Sequence, residues 1–199
     1  MKRIITTIAT LACALSLVAQ TTVVEAPQTD AIYRLPMEGG VKITAKTLTP
    51  LNLGMARMQN LVDFCAWELI ATEATDVVAP RDGVVESATD GSVLILHPDG
   101  LYTQLDAMGS VTVKEGDNVT KGDTVGVAQD LENGKWRVWV AAFHLKNNPA
   151  YGQVAQSGKS QYLYQYINPV FSTRGKCKVQ LSDGGSYTVK ARTWCWHWE

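Results

Sequence analysis

Arg137 and Trp139 stand two residues apart in the run Trp136–Phe143, WRVWVAAF, whose β-branched and aromatic content predicts a strand. On a strand they share one face. A guanidinium there can hold a carboxylate through two hydrogen bonds, and an indole can stack on a sugar or a peptide. The plainer alternative is that Arg137 pairs with Asp63 or Glu68 while Trp139 fills space. Metal chemistry asks for more. Catalytic zinc needs deprotonated nitrogen or oxygen donors converging tetrahedrally, with one position left for water. The chain has 3 histidines, His97, His144 and His197. Asp63, His97 and His144 are the donors an unconventional metal site would use. There is no basic run and no C-x-x-C pair, and the formal net charge is -1, so nucleic-acid readers and cysteine-based zinc ribbons find no support.

The elements that must position these side chains centre on Val111–Val127, VTVKEGDNVTKGDTVGV. Two near-identical units lie in it, Val113–Val119 and Val119–Val125. Each joins a short β-branched run to a Gly-Asp turn, where glycine can supply the positive φ of a tight reversal. Val41–Leu48 alternates apolar and polar residues as a half-buried strand does. Val77–Pro80, Val84–Ala88, Ser92–His97 and Leu101–Leu105 are further short strands separated by Arg81-Asp82-Gly83 and Pro98-Asp99-Gly100. Trp136–Phe143 suits a sheet centre. Asn52–Leu69 fits a helix or a strand and loop. Many short strands at close spacing make the chain all-β, a barrel or sandwich.

The chain has 199 residues, 46% hydrophobic and 19% charged, enough for one core with appendages. Lys2 and Arg3 precede an apolar run from Ile4 to about Leu17, which has the form of a secretory signal peptide cleaved near Ala19 or Gln20. That run is shorter than the roughly 20 residues needed to span a bilayer. Lipidation at Cys13 is the rival, against which Thr10-Leu11-Ala12-Cys13 is a poor lipobox. Export leaves Cys65, Cys177 and Cys195, an odd number that predicts one disulfide and one free thiol. Cys65 lies in an apolar stretch and is the expected free one. Lys176–Trp198 reads as an added hairpin turning at Ser182-Asp183-Gly184-Gly185, with Cys177 and Cys195 on its same apolar side and bridged. Trp194, Trp196 and Trp198 alternate onto the other side with Lys190 and Arg192, either docked on the main domain or presented to glycan.

The segments Val77–Val85 (VVAPRDGVV), His97–Thr103 (HPDGLYT), Val113–Gly126 and Tyr166–Pro169 (YINP) resemble, in order and spacing, the core of the lysostaphin-type (LytM) zinc metallopeptidases. The resemblance runs from about Asn60 to Phe171. It implies a barrel-sandwich hybrid fold, the duplicated hybrid motif, carrying the added C-terminal β-hairpin. The domains it suggests are a signal peptide over 1–20, a linker over 21–40, the peptidase-like domain over 41–171 and the hairpin over 172–199. Biotinyl or lipoyl carrier domains share the turn grammar, but their exposed lysine hairpin is absent here. In the resembled family a His and an Asp four residues apart, with the second His of a His-x-His strand, hold zinc. The first His of that strand and another further upstream move protons. Those positions fall on Gln59 and Asp63, on Arg137 and Trp139, and on Ala107. Stricter spacing back from Val77 would put Phe64 and Glu68 in place of Gln59 and Asp63. Asp106, beside Ala107, should point to the opposite face of a regular strand. His97 matches a family position that is not a ligand.

The signal-like N-terminus implies export, periplasmic or secreted, and the resemblance, with its ligand positions changed, implies a peptidase-like domain that has lost catalysis and has neither cofactor nor metal. Gln59, Asp63, Ala107, Arg137 and Trp139 would line its pseudo-active-site groove. Its expected partner is a peptidoglycan stem peptide or a cell-wall hydrolase, with no nucleic acid and no stable membrane insertion after signal cleavage. Two other readings stand beside it. One is a divergent zinc metalloendopeptidase acting on peptidoglycan cross-links. The other is an interaction protein whose groove is simply filled.

Overall fold

The computed structural model describes residues 30–50, 61–147 and 162–190. Among them are sixteen strands and no helix: β1 (Ile32–Arg34), β2 (Lys42–Leu48), β3 (Leu61–Val62), β4 (Ala66–Ala71), β5 (Asp76–Val78), β6 (Gly83–Thr89), β7 (Ser92–Leu96), β8 (Leu101–Asp106), β9 (Met108–Val111), β10 (Asn118–Val119), β11 (Thr124–Asp130), β12 (Trp136–Asn147), β13 (Tyr162–Ile167), β14 (Val170–Thr173), β15 (Lys176–Val179) and β16 (Ser186–Thr188). The main sheet runs β10-β6-β7-β8-β12-β4-β2-β16, and a second, three-stranded sheet runs β1-β14-β15. The chain is all-β. The ambiguous stretch before Leu69 resolves as β3 and β4, with 51–60 outside the described residues.

β12 is the axis of the main sheet. Its first half pairs with β4 and its second half with β13, while β8 lies along its other edge. Its alternation divides the work between two faces. Val138, Val140 and Ala142 are buried in the core with Leu69, Ile95 and Leu105. Arg137, Trp139 and Ala141 on the other face are only half-buried.

The duplicated turn units fold identically, and the sequence shows why. Asp117 Oδ2 accepts from the Lys114 amide at 3.0 Å, and Asp123 Oδ2 accepts from the Thr120 amide at 2.7 Å. Gly116 (φ 89°) and Gly122 (φ 101°) sit in the left-handed region that a side chain disfavours. Their amides then donate to Val85 O at 2.8 Å and Ala79 O at 2.9 Å. Each Gly-Asp pair thus closes its own turn and docks it on neighbouring backbone, on β6 for Gly116 and just past β5 for Gly122.

The C-terminal segment departs from the expected hairpin. β15 pairs with β14, whereas β16 pairs with β2 in the other sheet. The turn at Ser182–Gly185 does form, but its backbone is satisfied by β2: Gly184 N–H donates to Ala45 O at 2.8 Å, and Ala45 N–H donates to Gly185 O at 2.9 Å. The edge of β2 offers unpaired amides and carbonyls, which β16 satisfies. The expected linker over 21–40 also contributes structure, since β1 pairs with β14 and Tyr33, Leu35 and Met37 are buried. Cys177 is disulfide-bonded and Cys65 is free. Cys195, Arg192, His197 and the tryptophans 194, 196 and 198 lie outside the described residues.

Candidate functional site: a plugged groove beside an aromatic cavity

Antiparallel register sets Trp139 of β12 between Glu68 of β4 and Asp106 of β8. Its indole Nε1–H donates to Glu68 Oε1 at 3.2 Å. Arg137, one pleat along, places Nη1 3.5 Å from the same oxygen and donates from Nε to Gln129 Oε1 at 2.8 Å. Its guanidinium carbon lies 5.2 Å from the centre of the Trp139 ring, within cation–π range. A carboxylate, a guanidinium and an indole therefore satisfy one another on the groove face. Of the two acidic partners considered for Arg137, the structure uses Glu68. Asp63 occupies an exposed turn between β3 and β4 at φ 51°. Gln59 lies outside the described residues.

With Nε and Nη1 engaged, the Arg137 fork is not presented as a free carboxylate receptor, and Arg137 does not line the adjacent cavity. Zinc does not fit this donor set. Ala107 has no donor atom, indole nitrogen is donor-only, and guanidinium stays protonated and repels a cation. Among the described residues, no three His, Cys, Asp or Glu side chains come together in a way that could hold a metal ion.

The histidines serve other ends. His97 is 2% exposed, with Nδ1 2.8 Å from Asp82 O and Nε2 2.6 Å from Thr103 Oγ1. The carbonyl can only accept, so Nδ1 carries the proton and Nε2 accepts from the threonine hydroxyl. Burial pushes the imidazole pKa down, the hydrogen bond to Asp82 working against it, and the ring is neutral. The His-x-x-Gly-x-x-Thr spacing thus encodes a core hydrogen bond across the turn. His144, on the core side of β12, has a buried Nδ1 with no hydrogen-bond partner among the described residues.

Beside Trp139 the same face opens into a cavity of about 220 Å³. Phe64, Phe143, Tyr164 and Tyr166 form much of its wall, with Gln104 and Asp106 at its edge. Phe64 and Tyr166 meet with ring centres 4.8 Å apart, and Phe143 packs 5.5 Å from Tyr166 and 5.3 Å from Tyr164. Burial, then the charges of Tyr164 and Asp106, push the Tyr166 hydroxyl up to about 12. Sequence reasoning did not collect these residues. The alternation of Tyr164 and Tyr166 within β13 was the available sign, but their meeting with Phe64 depends on the pairing of β13 with β3 and with β12. Asp106 lines the cavity, and Ala107, at φ 53°, leaves the strand beside it. The two residues do not simply alternate across a pleat, because regular pairing stops between them.

Residues 65–149 match the family model of Peptidase family M23. The solved structure of pseudoalterin, described as a novel M23 metalloprotease from the deep sea, is similar to this chain with a TM-score of 0.44 and 12% identity, over 82% of this chain and 98% of that one. No curated protein matches the chain.

Proposed function

We propose that this M23-type domain is an exported, non-hydrolytic module that binds cell-wall peptide or regulates a cell-wall hydrolase. The observation that carries the reading is the Glu68–Arg137–Trp139 cluster. By the sequence resemblance, Arg137 and Trp139 fall where the resembled enzymes keep an imidazole pair, and both are bound to one carboxylate. A groove floor built this way can support no metal-polarised carbonyl and no activated water, which supply several kcal/mol of transition-state stabilisation in such enzymes. What it retains is a concave apolar surface with a few polar groups, the ordinary form of a binding site.

Incubation of the purified mature protein with peptidoglycan sacculi, with and without added zinc, tests the proposal. Co-sedimentation without release of soluble muropeptides is expected. Zinc-dependent release would establish the divergent endopeptidase instead, and absence of both binding and release would remove the wall-binding role. Export is tested separately by mass spectrometry of protein recovered from cells, with an N-terminus expected near Gln20 or Thr21 and no diacylglycerol on Cys13.

A further inference from the structure

The cavity beside Trp139 has a charge pattern that the plugged groove does not explain. Asp106 is the only ionised side chain among its described lining residues. Gln104 Nε2 donates to Asp106 Oδ1 at 3.0 Å and to Ser92 Oγ at 2.8 Å, which fixes the carboxylate in place. Asp106 Oδ2 receives no hydrogen bond among the described residues. Arg137 is held by Glu68 and Gln129 and does not line the cavity. Five of the remaining lining residues, Phe64, Trp139, Phe143, Tyr164 and Tyr166, are aromatic, and ring faces carry negative electrostatic potential. A carboxylate and several rings converging on one cavity make a site that favours a cation with an apolar stem.

We propose that this cavity receives an alkylammonium group of the lysine side-chain type, with Asp106 as its counter-ion and Trp139, Phe64 and Tyr166 as the aromatic wall. A hard metal ion is disfavoured, because one carboxylate offers too few oxygen ligands. A guanidinium is also a poorer match. Its fork binds best to two carboxylate oxygens, and one of Asp106's already accepts from Gln104. A point charge on a flexible stem needs only the remaining oxygen. Leu48 and Leu61, which also line the cavity, offer apolar surface for the stem. Burial is the main cause of the raised Tyr166 pKa, followed by Tyr164, and Asp106 adds the smallest part.

This deepens the reading of the groove face as a binding surface and rests on it, but its test is separate. The purified mature protein is titrated with Nα-acetyl-lysine methylamide and, in parallel, with its neutral isostere Nα-acetyl-norleucine methylamide. Binding is followed by calorimetry and by tryptophan fluorescence. Saturable binding of the lysine amide is expected, at least about tenfold tighter than that of the norleucine amide, as charge pairing plus cation–π attraction in a partly desolvated site implies. Asp106→Asn keeps the shape and the Gln104 contact, and should remove that preference while leaving norleucine binding unchanged. Equal affinity for the two amides, no saturable lysine binding, or an unaltered preference in Asp106→Asn would each overturn the proposal. Sacculus binding without lysine-amide binding removes the ammonium site and leaves the wall-binding module. Lysine-amide binding without sacculus binding does the reverse.

Discussion

Trp139 and Glu68 face each other across the β12–β4 pair, and the indole nitrogen donates to the carboxylate at 3.2 Å while Arg137 approaches the same oxygen at 3.5 Å. Both donors depend on one acceptor. Removing the acceptor leaves a half-buried guanidinium and an indole N–H to find new partners. Glu68→Gln keeps an amide oxygen for the indole and should cost about 1 kcal/mol, and Glu68→Ala about 2 kcal/mol. Urea denaturation followed by tryptophan fluorescence measures both. A Glu68→Ala variant as stable as the parent would mean that the cluster contributes nothing to the fold.

Acid should weaken the protein through His97. The ring is neutral and buried, and its folded-state pKa lies below the ordinary value of 6.5. Its contribution is fully present above that ordinary value. It is lost as pH falls below about 6.5 and through the depressed folded pKa, because the unfolded chain then binds the extra proton. Thermal midpoints measured from pH 8 to pH 4 should fall in that window. His97→Asn should flatten that part of the profile, at some cost in stability at neutral pH.

Introducing a single imidazole should not confer hydrolysis. Arg137→His or Trp139→His supplies one ligand to a site that needs several at once, and residues acting as a unit are strongly non-additive. Neither variant is expected to cleave sacculi or stem peptides with added zinc, by chromatographic analysis of released fragments. Turnover from either would show that the remaining groups already form most of a catalytic site.

Cys177 is disulfide-bonded, and Cys195 is the partner that the sequence parity nominates. Peptide mapping without reduction should recover a 177–195 bridge. Closing a loop of that size is worth roughly 3 kcal/mol in the chain-entropy account, so reduction should lower the urea midpoint. Cys65 should alkylate only slowly in the native protein, because burial pushes its thiol pKa up, with a partial offset from Trp67. A bridge that includes Cys65 would contradict both statements.

Local pattern determined the all-β class, most of the strands from Lys42 to Phe143, and the paired Gly-Asp turns. Each of these rests on neighbours in sequence: alternation for a strand, a glycine at positive φ, and an aspartate three residues from the amide it caps. The His97–Thr103 spacing was visible in the same way, although only the fold showed it to be a core hydrogen bond. Tertiary structure alone decided the rest. The choice of Glu68 over Asp63 for Arg137 followed from the β12–β4 register, in which a one-residue shift would reverse every side chain. The separation of β15 from β16 followed from the open edge of β2, which lies more than a hundred residues away. The cavity gathers Phe64, Asp106, Trp139 and Tyr166 from four parts of the chain, and no local period links them. Short-range preferences set which segments extend, but long-range pairing sets which of their side chains meet.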